Sequence, residues 1–513
     1  MSRINTNVES LIAQRVLGQN NSALSLSLER LSTGLKINRG ADDPAGLIAS
    51  ENLRAEKSGL GAAIGNAERA EQVVNIAEGG LQEISGLLTE LDGLLTTTAN
   101  SAGLSNEERE ANQLQIDSIL QTVNRLAQST SFQGRRLLNG NLGYQTSNVS
   151  ADVSNFKVNG AKLELGQTLD VNVLVTQSAQ QGALYLSTGA TLNFGGNPNN
   201  TFVIEIGGAK GSRELSFSSS TAIADIIAAI NSFTDVTGVS AATQGGGIAL
   251  DSVVLGTDEF VSAKIINDGG IVGPGIGIFN KSPGDVNVVS GGTQVAFNST
   301  AAKNGITDKG QDLGATINGI VATTKGAKAA ISTDFLSVEV ELGTGAAATA
   351  NAQTLGGLTG LTIKGGGADF QLASQVDIAG KVSLGIDNVS ITGLGRIESN
   401  GSTFTLADMA AGKTLNVEDG DLSMAQDSIR QAIKDVSSLR GRLGAFQKNT
   451  VGATIRSLGV SLENTTAAES AIRDADFAAE TAGLTRAQIL VNSSTNVLSL
   501  ANTAPQAVLQ LLG

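Results

Sequence analysis

Any reaction chemistry in this sequence must be built from carboxylates, hydroxyls and amines. The 513-residue chain contains no Cys and no His. A thiolate nucleophile, a Ser-His-Asp relay and the zinc ligands of an HExxH helix are therefore excluded. Carboxylate pairs can work without His. Asp251, Asp258 and Glu259 are carboxylates that could ligate calcium, but the twelve-residue spacing of an EF-hand loop is absent, and they read as solvated surface. The expectation is a protein that is not an enzyme and holds no cofactor and no metal. A net charge of −14, with no Lys/Arg patch interleaved with aromatics, argues against nucleic acid as a partner. No run reaches the ~18 consecutive apolar residues of a membrane span, so no membrane insertion is expected. The N-terminal stretch MSRINTNVESLIAQRVLGQNN lacks the apolar core of a secretory signal, which by itself predicts a cytoplasmic protein.

What remains is positional chemistry: apolar side chains at regular spacing. Leu53, Leu60, Ala67, Val74, Leu81, Leu88 and Leu95 recur by seven, and Ala63, Ala70, Ala77, Ile84 and Leu91 form a second column. That is the a/d seam of a coiled coil. A helix from Pro44 to about Thr98 would be roughly 80 Å long, with Asp43 as its cap and Pro44 in its first turn. Ser105 and Glu108 predict a capping box for a second helix, whose seam is Ile116, Ile119, Val123 and Leu126. Toward the C-terminus, Leu422, Ile429, Val436 and Leu443, beside Ala425, Ala432, Leu439 and Phe446, supply a third. These three are expected to pack on one another inside one molecule.

The two extremes are different. Leu17, Leu24, Leu28, Leu31 and Leu35 make a seam near the N-terminus. Leu490, Val497, Ala504 and Leu511 recur by seven at the other end, with Ala501 and Val508 between them, and no charged residue follows Arg486. Paired with each other, these helices would still expose Val8, Leu11, Ile12 and Val16, and Leu498, Leu500, Leu509 and Leu512. A helix apolar on several faces must be buried on several faces. Burial between many identical copies is the expectation.

Several segments resemble bacterial flagellin: INTN (Ile4 to Asn7), ERLSTGLKIN (Glu29 to Asn38), ADDPAGLIAS (Ala41 to Ser50), SFQGRRLLNG (Ser131 to Gly140), RDADFAAE (Arg473 to Glu480) and the closing AQILVNSSTNVLSLANTAPQAVLQLL. The resemblance spans roughly the first 145 and the last 95 residues. It implies a mixed α and β fold, with a helical coiled-coil rod formed by both termini and β-rich outer insertions. By position, 1–40 and 474–513 correspond to filament-core helices, 41–150 and 421–473 to the rod, and 151–420 to a surface-exposed insertion. The family's terminal helices fold on assembly into a helical homopolymer. The resemblance also implies extracellular location after type III export, with an export chaperone on the uncharged tail and a filament cap as further partners.

Within the middle, 201–266 resembles a β-β-α-β-β module of flagellins and hook-associated proteins. Ala315 to Leu342 loosely repeats a strand, turn, polar helix and strand. The Ser and Thr of this zone read as turn and edge-strand chemistry ahead of O-glycosylation. At the stretch matching the family's innate-immune receptor epitope, Glu90 replaces Arg, Gly93 replaces Glu, and Leu94 is retained, which implies weak or absent activation. Two alternatives stay open. A hook–filament junction protein would form a short ring in place of a filament, and a secreted enzyme or adhesin would need a carboxylate set or carbohydrate groove in the middle.

Overall fold

The computed structural model describes residues 6–512 except 101–102, 165, 190–191, 193, 195–199, 272–274, 281–293, 344–352, 354 and 400–401, with side chains as far as residue 503. Its helices are α1 (Val8–Thr33), α2 (Pro44–Thr98), α3 (Asn106–Ser129), α4 (Ile223–Asn231), α5 (Thr234–Thr237), α6 (Thr300–Asn304), α7 (Leu422–Ala445), α8 (Gly452–Arg473) and α9 (Phe477–Leu512). Helical terminal regions thus flank a β-rich middle, the fold class expected from the sequence. The chain divides into two compact units. One comprises Met1–Glu78, Phe370–Lys381 and Arg440–Gly513, the other Gly79–Asp369 and Val382–Leu439.

In the first unit, α1 ends at Gly34, whose left-handed φ of 72° lets its N–H reach the Arg30 carbonyl at 2.8 Å. The chain then pairs briefly with the residues before α9. Lys36 N donates to Arg473 O (2.7 Å), and Ala475 N donates to Gly34 O (2.9 Å). Asp42 accepts from the backbone N–H groups of Arg39 (2.9 Å) and Asn38 (3.0 Å). Those bonds, to Arg39 first, hold its carboxyl below the usual range. Asp43 caps α2 by accepting from Gly46 N at 2.9 Å. The antiparallel course of α2 against α7 and α8 is marked by Lys57–Glu469 (3.2 Å) and Arg440–Glu78 (2.8 Å). Phe370–Lys381, though embedded in the β-rich sequence, also belongs here. The Phe370 ring lies 5.8 Å from Phe446, and a Cβ on Gly59 would stand 3.1 Å from the Ser374 carbonyl oxygen.

In the second unit, α3 opens with the capping box: Glu108 N donates to Ser105 Oγ, and Ser105 N donates to Glu108 Oε2 at 2.8 Å. One face of α3 secures the loop before α7. Gln113 Nε2 donates to Met409 O (3.0 Å) while its Oε1 accepts from Val417 N (2.9 Å). Arg109 donates to the carbonyls of Val417 and Glu418. After α3 comes a hairpin of β1 (Ser131–Phe132) and β2 (Arg135–Arg136), its turn made by Gln133 and Gly134 with φ of 48° and 81°.

The β-rich middle forms two cores, one inserted into the other. The inner one uses β3 (Tyr144–Ser147), β4 (Val153–Ala161) and β5 (Leu169–Gln177). The chain then leaves to build the outer core from β6 (Ala183–Ser187), β7 (Thr201–Gly208), β8 (Gly211–Ser218), β9 (Val239–Gln244), β10 (Gly247–Ser252), β11 (Phe260–Asp268), β12 (Gly277–Asn280), β13 (Gln294–Val295) and β14 (Ile306–Lys309). It returns as β15 (Gly314–Ile317), β16 (Ile320–Val321), β17 (Thr323–Lys325), β18 (Lys328–Ser332), β19 (Leu336–Leu342) and β20 (Gly356–Gly366). The outer sheets run β13-β12-β6-β10-β9 and β14-β11-β7-β8, and the inner ones β16-β15-β5-β20-β3 and β17-β18-β19-β4. The strands of 201–266 follow the β-β-α-β-β order, but their two hairpins lie in different sheets. Ile223, Ile226 and Ile230 of α4 are buried with both.

The polar helix expected within Ala315 to Leu342 does not form. That stretch is five strands, and Lys328–Ser332 alternates Ala329 and Ile331 inward with its neighbours outward. Alanine has little strand preference of its own, and pairing on both edges with β17 and β19 overrides it.

Where the chain re-enters the inner core, Asp312 accepts from Thr257 Oγ1 (2.6 Å), Thr257 N (3.0 Å) and Gly326 N (2.7 Å). Desolvation opposes its ionisation, but these bonds together with Lys325 outweigh it and lower its pKa. A depressed folded pKa means stability that is present above the unfolded carboxylate pKa and is lost as pH falls through the folded one. Asp312→Ala is expected to cost about 1–3 kcal/mol at neutral pH, and the difference from the parent chain should close on acidification below about pH 4. Thermal melts of both proteins across pH 2–7 check this, and a pH-independent difference would contradict it.

Candidate functional site

The site the sequence singles out is the terminal helix pair, α1 and α9. The helices run antiparallel and touch along their length. Asn7 Nδ2 donates to Ala501 O (2.8 Å), Ser10 Oγ to Asn502 Oδ1 (2.7 Å), and Asn20 Nδ2 to Ser494 Oγ (2.6 Å). Near the other end Arg30 pairs with Glu480 at 3.9 Å. The residues buried between them are small: Ser10 and Ala13 on α1, Ala487 and Ser494 on α9. Small side chains allow close approach of the two backbones, and little apolar surface is removed from water.

Several large apolar side chains are left exposed. Val8, Leu11, Ile12 and Val16 are exposed on α1. Leu17, Leu24, Leu31 and Leu35 are half-buried, and Leu28 is 49% exposed. On α9, Leu490 is 45% and Val497 54% exposed, while Ala501 is half-buried. The expected α9 column is therefore corrected in one respect: recurrence by seven does not mark the face against α1. The facing row is Gly483, Ala487, Val491, Ser494, Leu498 and Ala501, and Leu498 is half-buried where exposure was expected. In a straight helix a seven-residue repeat drifts about 20° per heptad, so it need not track a partner. The side chains of Ala504, Val508, Leu509, Leu511 and Leu512 lie outside the described residues. Asn7, Asn20 and Ser494 escaped the sequence reading because a hydrogen-bonding small residue carries no hydropathy signal. A row of small residues at Gly483 and at four and eleven positions beyond it, Ala487 and Ser494, was the available clue.

The rod-seam positions lie in the helical interior. Leu60, Val74, Leu81, Leu88 and Leu95 on α2, and Ile429, Val436 and Leu443 on α7, are buried, and Leu53 is half-buried. Glu90 and Gly93 stand on the exposed side of α2, with Leu94 half-buried beside them. Among the described residues no group of three or more Asp or Glu is placed to hold a metal ion, and no helix is long and apolar enough to cross a membrane.

Two surfaces thus coexist: seams satisfied within the molecule, and a terminal helix pair on which Leu11, Ile12, Leu28, Leu490, Val497 and Leu500 are exposed. Burying one such side chain stabilises by about 1.5–3 kcal/mol, so a row of them favours association. Known proteins place this arrangement. Residues 4–142 match the family model of the bacterial flagellin N-terminal helical region, 426–512 that of the C-terminal helical region, and 201–253 the flagellin hook IN motif. Flagellin A of Helicobacter pylori is 27% identical over 548 residues, and flagellin C of Vibrio cholerae is 28% identical over 516, each match covering 99% of both chains. With both helical ends, the inserted module and the full length accounted for, the chain belongs to the bacterial flagellins, the structural subunits of the flagellar filament.

Proposed function

We propose that the outward faces of α1 and α9, where Leu28, Leu490 and Val497 are exposed, are the surfaces through which copies of this chain assemble, and that the remaining positions of the two terminal columns, Leu17, Leu24, Leu31, Leu35, Ala501, Ala504, Val508 and Leu511, take part in the same assembly. The observation that carries this reading is the exposure of Val8, Leu11, Ile12, Leu490, Val497 and Leu500 on a helix pair closed by small residues. Repeated head-to-tail contacts that do not close generate a helical filament. The rod-seam residues have a different role, holding α2 and α7 in their packed arrangement. The chain acts without catalysis. It reaches the cell exterior through the type III export channel, its uncharged tail shielded by the export chaperone beforehand and its assembly guided by the filament cap. A chain without Cys suits unfolded passage, since no disulfide can form on the way. Seeded polymerisation of the purified chain tests the assembly reading. Long tubes in negative-stain micrographs are expected, and a solution that stays clear beside seeds would count against it.

A second consequence concerns the innate-immune receptor of the family resemblance. Glu90 and Gly93 put a reversed charge and a missing side chain where that receptor is expected to dock, and a like-charge juxtaposition costs several kcal/mol. Monomer applied to a receptor reporter cell line is expected to give at most a few per cent of the response to an activating flagellin. A full response at sub-nanomolar dose would refute this.

A further inference from the structure

The second unit carries opposite charge at the two ends of α3. Past its C-terminal end, the β1–β2 hairpin presents Arg135 and Arg136 side by side, both exposed, with exposed Arg125 on the last turns of the helix. Elsewhere Arg440 pairs with Glu78, Arg473 with Glu51, and Arg109 donates to two carbonyls. Arg125, Arg135 and Arg136 enter no ion pair among the described residues. The hairpin is fixed, not loose. Leu137 N donates to Thr130 O at 3.0 Å, Leu137 and Leu138 are buried, and Leu138 and Thr130 pack over Gly80 so closely that a Cβ there would stand 2.7 Å from Thr130 Oγ1. The backbone that carries the two arginines is thereby fixed in place.

At the N-terminal end of α3 the charge is reversed, and two separate elements contribute. Glu107 and Glu110 are exposed on the first turns of the helix. The loop that Arg109 and Gln113 pin beside them carries Glu418, half-buried, with Asp419 and Asp421 exposed. The α3 helix has 24 residues, so the acidic and basic ends lie about 36 Å apart along it at 1.5 Å per residue. They cannot neutralise each other within one molecule.

We propose that the Arg135–Arg136 hairpin of one copy docks on the acidic end of α3 and its neighbouring loop in a second copy. This deepens the self-assembly reading and rests on it. Complementary patches at opposite ends of the same element make a heterologous, head-to-tail contact, the kind from which a filament is built when it does not close. Charge complementarity also fixes direction, because hairpin against hairpin or acid against acid repels. Arginine suits the role, since its planar fork engages carboxylates bidentately.

The experiment reverses each end separately in the full chain and then mixes the products. One variant carries R135E and R136E, the other E107K and E110K. Glu108 is left alone because it completes the capping box. Alone, each variant should elongate wild-type-free seeds of its own kind at least tenfold more slowly than the parent chain, since like ends then meet. Mixed one to one, an acid-ended hairpin meets a lysine-bearing helix start and a basic end meets a carboxylate loop, so elongation should recover to within about threefold of the parent. Recovery on mixing cannot come from repaired folding, because neither polypeptide has changed. Variants that each polymerise at the parental rate would overturn the proposal, as would slow variants that stay slow when mixed. Failure of the parent chain itself to polymerise would instead count against the filament reading.

Discussion

A chain ending at Arg486 is expected to remain folded through its second unit and to form no filament. The missing residues, 487–513, supply Ala487, Ser494 and the carbonyl of Ala501, so α1 loses most of what it touches. Helix α1 has 26 residues, and unsupported helices of modest length are marginal in water when their stability depends on packing. Both terminal helices should therefore melt together, lowering the far-ultraviolet helical signal by more than the deleted segment alone explains. None of the buried residues of the β cores lies in the deleted stretch, so those should unfold at the parental temperature. Light scattering with seeds, followed by micrographs, reads assembly. Polymerisation equal to that of the intact chain would mean that the uncharged tail serves export or its chaperone instead.

How far the sequence disclosed this arrangement depended on where the physical signal was local. The α2 seam was legible because a strict repeat of leucine and alanine, with a proline-marked start and no later proline, admits one helix and one buried face. The Ser105–Glu108 capping box and the β-β-α-β-β module were legible for the same reason: each is written in residues close together in the chain. Helix α9 was legible as a helix but not in its orientation. Its exposed bulky residues, Leu490, Val497 and Leu500, stand off the row that meets α1, and its contact with α1 is written largely in Gly483, Ala487 and Ser494, which hydropathy ignores. Lys328–Ser332 was misread because alanine defers to its neighbours, and the neighbours were strands. Phe370–Lys381 was invisible as a partner of the helices, because its fit depends on the absence of a side chain at Gly59, more than three hundred positions earlier. The charge at the two ends of α3 was plainly present in the sequence, but only the fold brings Glu418, Asp419 and Asp421 beside Glu107.

The distinction between seams closed within the molecule and faces left for other copies leads to a paired prediction. Leu88 and Leu490 are both leucines in a seven-residue column on a helix, yet Leu88 is fully buried and Leu490 is 45% exposed. Leu88→Ala deletes packed methyl groups from the helical interior, where the surroundings collapse only partly, and should cost about 3 kcal/mol of the second unit's stability. Its assembly defect, if the unit still folds under the conditions used, should follow from that loss and be repaired by cooling or stabilising solutes. Leu490→Ala should behave oppositely. Alanine is at least as good a helix former, and truncation at an exposed position leaves monomer stability within about 0.5 kcal/mol. The lost apolar area is then missing only from the contact between copies. Forfeiting about 1.4 kcal/mol per subunit there raises the critical concentration about tenfold. Thermal melts of the monomer set beside critical concentrations from sedimentation separate the two cases. A Leu490→Ala chain that melts early but polymerises normally would place that leucine inside its own molecule, and the outward face of α9 would lose its role as the surface that builds the filament.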